Sequence, residues 1–172
     1  MRGVLGLVAS ACGDVESRLT GELAAPAARQ GWRLAITLTP TAHTWLAATG
    51  ELGRLRRLTD LPVRADPRLP GQPRPHPDPG CFLFAPASAN SVAKLAVGIA
   101  DNQALTVLCE ALGNRVPLVV CPRVNGGHTG HPAWAGHLGT LRAAGAAILP
   151  LDGDATWTAA LDVLDELVVG GT

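Results

Sequence analysis

Residues 81–97 read CFLFAPASANSVAKLAV. The run 81–85 is apolar, short, and rich in aromatic and branched residues. Such a run suits a strand covered on both faces. Pro86-Ala87-Ser88-Ala89-Asn90 then reads as a turn, and 91–97 opens a helix whose start is rich in small hydroxyl and amide residues. The unit is therefore strand, turn, helix. Working outward, the same order recurs. Residues 4–9 form an apolar run that ends in Ser10-Ala11-Cys12-Gly13. A helical stretch follows over 14–30, acidic at its start and basic near its end. Residues 33–38 predict a second strand, Thr39-Pro40-Thr41 a turn with a capping hydroxyl, and 42–48 a helix. Downstream come a helix over 101–112, a strand over 116–121 and a glycine-bearing loop over 122–130. A helix over 131–144 carries Pro132 in its first turn. A strand over 146–150 and a helix over 156–168 follow, and Gly170-Gly171-Thr172 reads as a frayed tail.

Strands that alternate with helices predict an α/β fold, an open parallel sheet with helices on both faces. The length, 172 residues, predicts one domain over 1–172. One segment breaks the pattern. Residues 59–80 hold seven prolines and little periodicity, which predicts a long irregular connection.

Composition excludes several classes. Hydrophobic residues make up 47% of the chain and charged residues 16%, so global disorder is excluded. Basic and acidic residues number 14 each, so no basic field exists to bind nucleic acid. No apolar run reaches the length of a membrane helix. The opening MRGVLGLVASA is too short in its apolar part for a signal peptide and reads as the first strand. The four cysteines, Cys12, Cys81, Cys109 and Cys121, form no Cys-x-x-Cys pair. They read as free thiols of a cytoplasmic protein.

In open parallel sheets, ligands bind at the carboxyl ends of strands. Those ends carry Ser10, Ala11, Cys12 and Gly13, then Thr39 and Thr41. The third and fourth carry Pro86, Ala87, Ser88, Asn90 and Ser91, then Arg123, Asn125 and His128. The set is hydroxylated and amide-bearing and nearly free of carboxylates. Each Ser or Thr alone reads as an ordinary helix cap. Together they suit a phosphate-bearing organic cofactor without magnesium. Neither a Walker loop nor a dinucleotide fingerprint is present. His128 and His131 lack a third ligand at metal spacing, so no metal site is expected. The sequence shows no nucleophile elbow.

The stretch 85–102, APASANSVAKLAVGIADN, closely resembles the flavin-binding signature of the FMN-dependent cysteine decarboxylase family. That family includes phosphopantothenoylcysteine decarboxylases and epidermin-type peptidyl-cysteine decarboxylases, with flavin prenyltransferases as a more distant branch. Residues 122–132, PRVNGGHTGHP, resemble the second signature, Pro-x-Met-Asn-x-x-Met-Trp. The resemblance implies a three-layer Rossmann-like, flavodoxin-like flavoprotein domain with FMN as cofactor. It implies FMN binding by Ser10, Ala11, Thr39, Thr41, Pro86, Ala87, Ser88, Asn90, Asp101 and Asn102. It implies Asn125 as the group that binds the substrate carboxylate, and a histidine ahead of the first signature as the catalytic base. His76 matches that position best, although the nine residues between it and Pro86 are a few short; His43 is the poorer alternative.

Two departures bear on function. Val124 stands where the family has methionine, and His128-Thr129 stand where it has Met-Trp. The chain also lacks the late cysteine of phosphopantothenoylcysteine decarboxylase, which argues against a coenzyme A role. The resemblance therefore implies oxidative decarboxylation of a peptide's C-terminal cysteine to an enethiol, in the maturation of a peptide natural product. Oxidation of the cysteine side chain to a thioaldehyde places the carboxylate β to a C=S group, from which CO₂ can leave. Two alternatives stay open: a flavin-binding protein without this activity, and a flavin prenyltransferase, for which Arg123 is the one basic residue at a strand end. The expected partners are a peptide ending in cysteine and further copies of the chain, as a trimer or dodecamer.

Overall fold

The structure, a computed structural model, describes residues 2–170. Five strands form one parallel sheet. They are β1 (Val4–Ala9), β2 (Arg33–Leu38), β3 (Cys81–Ala87), β4 (Leu118–Pro122) and β5 (Ala147–Ile148), in the spatial order β2-β1-β3-β4-β5. All four pairings are parallel. The apolar runs form strands because both faces are covered. Leu5, Leu7, Leu34, Ile36, Leu83 and Val119 join one buried cluster, and Val8, Phe82, Phe84 and Val120 join the other.

The first cluster is closed by α1 (Val15–Arg18), α2 (Ala25–Arg29), α3 (Pro40–Ala48), α4 (Glu51–Arg56) and α9 (Ala159–Gly170). The second is closed by α5 (Ala89–Ala96), α6 (Gln103–Gly113) and α8 (Trp134–Ala143). The expected three-layer α/β architecture is therefore present.

Between α1 and α2 the helix widens into a π-helical stretch, Leu19–Ala24. The sequence shows why a regular helix over 14–30 does not persist. Pro26 has no N–H for the carbonyl of Glu22, four residues earlier. That carbonyl instead accepts from the Thr158 hydroxyl at 2.8 Å, while a Glu22 carboxylate oxygen accepts from the Trp157 N–H at 2.8 Å. Arg18 completes the junction, bonding Glu22 at 2.8 Å and lying 5.0 Å from the centre of the buried Trp157 ring. Glu22 thus joins this helical stretch to the turn before α9.

Other boundaries moved. β3 runs two residues further than expected, through Pro86 and Ala87. A register shift between Phe84 and Ala87 lets proline sit in an interior strand. α4 was not anticipated. Gly50, at φ 79, ends α3, and Leu52 and Leu55 bury one short face. The helix expected from 131 begins at Trp134, and α7 (Gly126–Thr129) forms ahead of it. β5 is only two residues long. Gly170 ends α9 rather than fraying, and Gly171 and Thr172 lie outside the described residues.

Residues 59–80 contain no helix or strand, as expected, but they are tied to the sheet. The Leu38 N–H donates to the Arg64 carbonyl at 2.7 Å, and the Arg64 N–H donates to the Ile36 carbonyl at 3.0 Å. The segment thereby covers the edge of β2.

Two expectations follow. A Cβ at Gly6 would lie 2.3 Å from the Phe82 ring, because Phe82 packs directly across β1. Gly6→Ala should cost about 1–3 kcal/mol in urea unfolding by overpacking this contact. The Arg18 hydrogen bond, helped by the Trp157 N–H, holds the Glu22 carboxyl below the usual carboxylate range. A depressed folded-state pKa adds stability above the unfolded value of roughly 4.3, lost as pH falls through the folded value. Glu22→Gln should therefore flatten the acid side of the stability-against-pH curve.

Candidate functional site

The chain steps from β1 outward to β2, then returns past β1 to β3. The sheet order reverses between β1 and β3, and a crevice opens there above the carboxyl ends of the strands. The Ser10 N–H donates to the Pro86 carbonyl at 2.9 Å across this point, and the Arg123 N–H to the Ala87 carbonyl at 3.0 Å. These bonds bring the ends of β1, β3 and β4 together. The cleft above them has a volume of about 910 Å³, enough for a large organic cofactor.

Most of its polar groups are helix caps. Thr39 caps α3 by accepting from the Ala42 N–H at 3.3 Å, and Ser88 caps α5 by accepting from the Ser91 N–H at 3.2 Å. Asn102 caps α6 through the Leu105 N–H at 3.0 Å, and Asn125 caps α7 through the His128 N–H at 3.1 Å. Lys94 pairs with Asp101 at 2.5 Å on the same wall. Ser10 is different. It is 1% exposed, lines the cleft, and its hydroxyl meets no partner among the described residues. A buried hydroxyl without a partner costs free energy that a ligand oxygen would recover. That orphan, beside capped helix starts and without a metal-binding set, fits a phosphorylated organic group. No cluster of three His, Cys, Asp or Glu able to hold a metal occurs among the described residues.

Arg123 fastens the cleft. Its guanidinium donates to the Leu151 carbonyl at 2.6 Å and the Gly153 carbonyl at 3.0 Å, and pairs with the Asp14 carboxylate. Asp14 sits at φ 66, a left-handed conformation that Asp tolerates better than most residues. One side chain thus locks the β1–α1 turn to the loop after β5. Cys12 lines the same turn. Burial pushes its thiol up to about 12, opposed by Arg123, so it stays a neutral thiol. Burial also pushes the Cys121 thiol up, inside β4.

Of the residues expected at the site, Ser10, Ala11, Thr39, Thr41, Ser88, Asn90, Asp101, Asn102 and Asn125 line this one cleft. Pro86 and Ala87 do not. They lie buried in β3 and contribute their carbonyls to its framework. His76 also lies elsewhere, in a second cavity of about 430 Å³ between residues 64–79, Thr37 and α6. His43, on α3, does not line the cleft either; among the five histidines, His128 does. Sequence reasoning passed over Trp45, Lys94 and the Leu151–Gly153 loop. The end of the fifth strand carried the signal for that loop. Trp45 and Lys94 lie in the second turn of α3 and α5, the helices that follow β2 and β3.

A family model for flavoproteins matches residues 78–169. This chain belongs to the Flavoprotein family. As a flavoprotein it takes a flavin cofactor. Its curated relatives include a cysteine/cysteine sulfinic acid decarboxylase of an unidentified prokaryote, 41% identical over 64 residues, covering 37% of this chain and 17% of that protein. The mouse phosphopantothenoylcysteine decarboxylase is 38% identical over 69 residues, covering 40% of this chain and 33% of that one. The match thus spans a third or less of either relative. Solved structures share the fold throughout. The FMN-dependent cysteine decarboxylase TvaF of thioviridamide biosynthesis has a TM-score of 0.80 at 23% identity, covering 98% of this chain and 99% of that one. The peptidyl-cysteine decarboxylase EpiD has a TM-score of 0.74 at 21% identity, covering 98% and 99%.

Arg123→Ala should remove the tie between the β1–α1 turn and the loop after β5. Urea unfolding should show a loss of about 1–3 kcal/mol, the usual scale for hydrogen bonds to a charged group.

Proposed function

We propose that this flavoprotein binds FMN and oxidatively decarboxylates the C-terminal cysteine of a peptide, releasing an enethiol during peptide natural-product maturation in the cytoplasm. The carrying observation is the pairing, in one cleft, of the orphaned Ser10 hydroxyl with the Asn125 amide. Ser10, Ala11, Thr39, Thr41, Ser88, Asn90, Asp101 and Asn102 would hold the cofactor, with Pro86 and Ala87 shaping its floor. FMN, when bound, supplies a two-electron acceptor. The protein supplies orientation and proton handling. The Asn125 amide donates to the substrate carboxylate until CO₂ departs. No helix among the described residues is long and apolar enough to cross a membrane.

His76 enters this reading through assembly. Within one chain it lies in the second cavity, so as the base it acts in a neighbouring copy's cleft. A homo-oligomer, trimer or dodecamer, with the site at the subunit interface supplies that geometry. A second reading, a flavin-binding protein without decarboxylation, draws on the same displacement of His76. A prenyltransferase is disfavoured, since Arg123 is committed to Asp14 and two carbonyls rather than free for a diphosphate.

The test joins visible absorption with mass spectrometry of a cysteine-terminated peptide. A flavin spectrum and loss of CO₂ plus two hydrogens are expected. A flavin spectrum with an unchanged peptide favours the second reading, and a colourless protein that FMN cannot reconstitute overturns both. His76→Ala should lower turnover by about 100-fold, the lower end of general acid–base contributions, and Asn125→Ala by about 10- to 100-fold, the scale of a lost hydrogen bond to a charged group. Dissociating and mixing the two variants should recover part of the activity, because each then supplies what the other lacks. No recovery removes His76 from the interface role.

A further inference from the structure

The second cavity carries a charge imbalance that the strand-end cleft lacks. In the cleft, Lys94 and Arg123 are each paired with an aspartate. In the second cavity Arg64, Arg68 and Arg74 line the wall beside His76. Arg74 is neutralised by Asp78, whose two carboxylate oxygens it meets at 2.8 and 2.7 Å. Arg64 and Arg68 make no ion pair among the described residues. Each is held instead by one backbone carbonyl. Arg64 Nη2 donates to the Asp66 carbonyl at 2.8 Å, and Arg68 Nη1 to the Gln72 carbonyl at 2.7 Å. A guanidinium has several further N–H donors, so neither is saturated. The main chain of Arg64 is pinned to β2, and the Gln72 side chain accepts from the Leu69 N–H at 2.8 Å, closing the turn that carries Arg68. Both groups are therefore oriented without a ligand. They also repel one another. Burial, and then the charge of Arg68, push the Arg64 guanidinium below its ordinary range, against an opposing effect of Asp66. Glu110, on α6, lines the cavity but pairs with neither arginine. Two fixed cations with no carboxylate between them suit an incoming oxyanion, and the guanidinium fork matches a carboxylate in particular.

We propose that Arg64 and Arg68 bind an acidic side chain of the peptide substrate, carried shortly before its terminal cysteine. The inference rests on the peptide-decarboxylase reading and deepens it by naming the class of peptide. In that reading His76 meets the cysteine, so the residues before the cysteine pass the cavity that His76 lines. A cavity of about 430 Å³ is roughly 8 Å across, and an extended peptide advances about 3.3 Å per residue, so it takes about two to three residues. The Phe82 ring lines the same cavity and gives that segment an apolar surface to lie against, with the two arginines as its charged contact.

Equilibrium binding to the FMN-loaded protein tests it with unreactive peptides that end in serine. Each carries glutamate or glutamine at one of the positions just before the end, taken in turn. At one position glutamate should bind about 10-fold more tightly than glutamine, the scale of a hydrogen bond to a charged group. Raising the salt concentration should shrink that ratio in the wild type. The Arg64→Gln/Arg68→Gln double variant should bring the ratio to about one, whereas Arg74→Gln, whose partner is Asp78, should keep it. Arg68→Gln alone, on an exposed turn, should lower it by about 3-fold and serves if the double variant does not fold. A ratio of about one at every position in the wild type overturns the inference, as does a wild-type ratio in the arginine variants. Loss of bound FMN from the double variant, read from its visible absorption, also overturns it, by assigning the arginines to the cofactor's phosphate. Turnover of cysteine-ending peptides, followed in parallel, tests the broader reading by itself. Acid-selective binding without turnover leaves the arginine site standing and removes the decarboxylase.

Discussion

The Ser10 amide and the Pro86 carbonyl meet at the point where the sheet's order turns back on itself. Parallel strands bring all their carboxyl ends to one edge, and the reversal leaves a gap there that no crossover helix covers. Everything in the cleft depends on that gap staying open and rigid. The Arg123 amide fixes β4 to β3, while its side chain fixes the β1–α1 turn to the loop after β5. The walls are therefore held by backbone bonds and one half-buried guanidinium.

The cleft's polar residues serve two ends at once. Thr39, Ser88, Asn102 and Asn125 satisfy helix N-termini, which would otherwise present unpaired N–H groups. That is a local requirement of each strand–turn–helix unit. Ser10 meets no such requirement, and its buried hydroxyl has no partner among the described residues. The contrast separates residues whose presence folding alone accounts for from one whose presence points to a ligand.

Two residues in the second signature's stretch, Arg123 and His128, acquire meaning in this geometry. Arg123, a lone basic residue at a strand end, is structural: its donors are already taken by Asp14 and two carbonyls. His128 replaces an apolar side chain with one that hydrogen-bonds the cleft's asparagine. Both side chains bond neighbouring groups of the cleft.

Periodicity and punctuation alone determined the strand–helix alternation, the parallel sheet and the set of strand-end residues, because each follows from local patterning. β1 and β2 lie where their apolar runs lie, and most of the hydroxyl and amide residues at the strand ends line one cleft. Only the tertiary structure decided the rest. Pro86 and Ala87 read as a turn but continue β3, because pairing with β4 outweighs local proline preference. The helix over 14–30 contains a π-helical stretch, because the carbonyl freed by Pro26 finds Thr158 at the far end of the chain. His76 lies close to the flavin signature in sequence yet opens on another cavity, since residues 64–79 face α6 rather than the strand ends. Proximity along a chain constrains distance; the direction in which a loop leaves the sheet depends on contacts that local sequence does not contain.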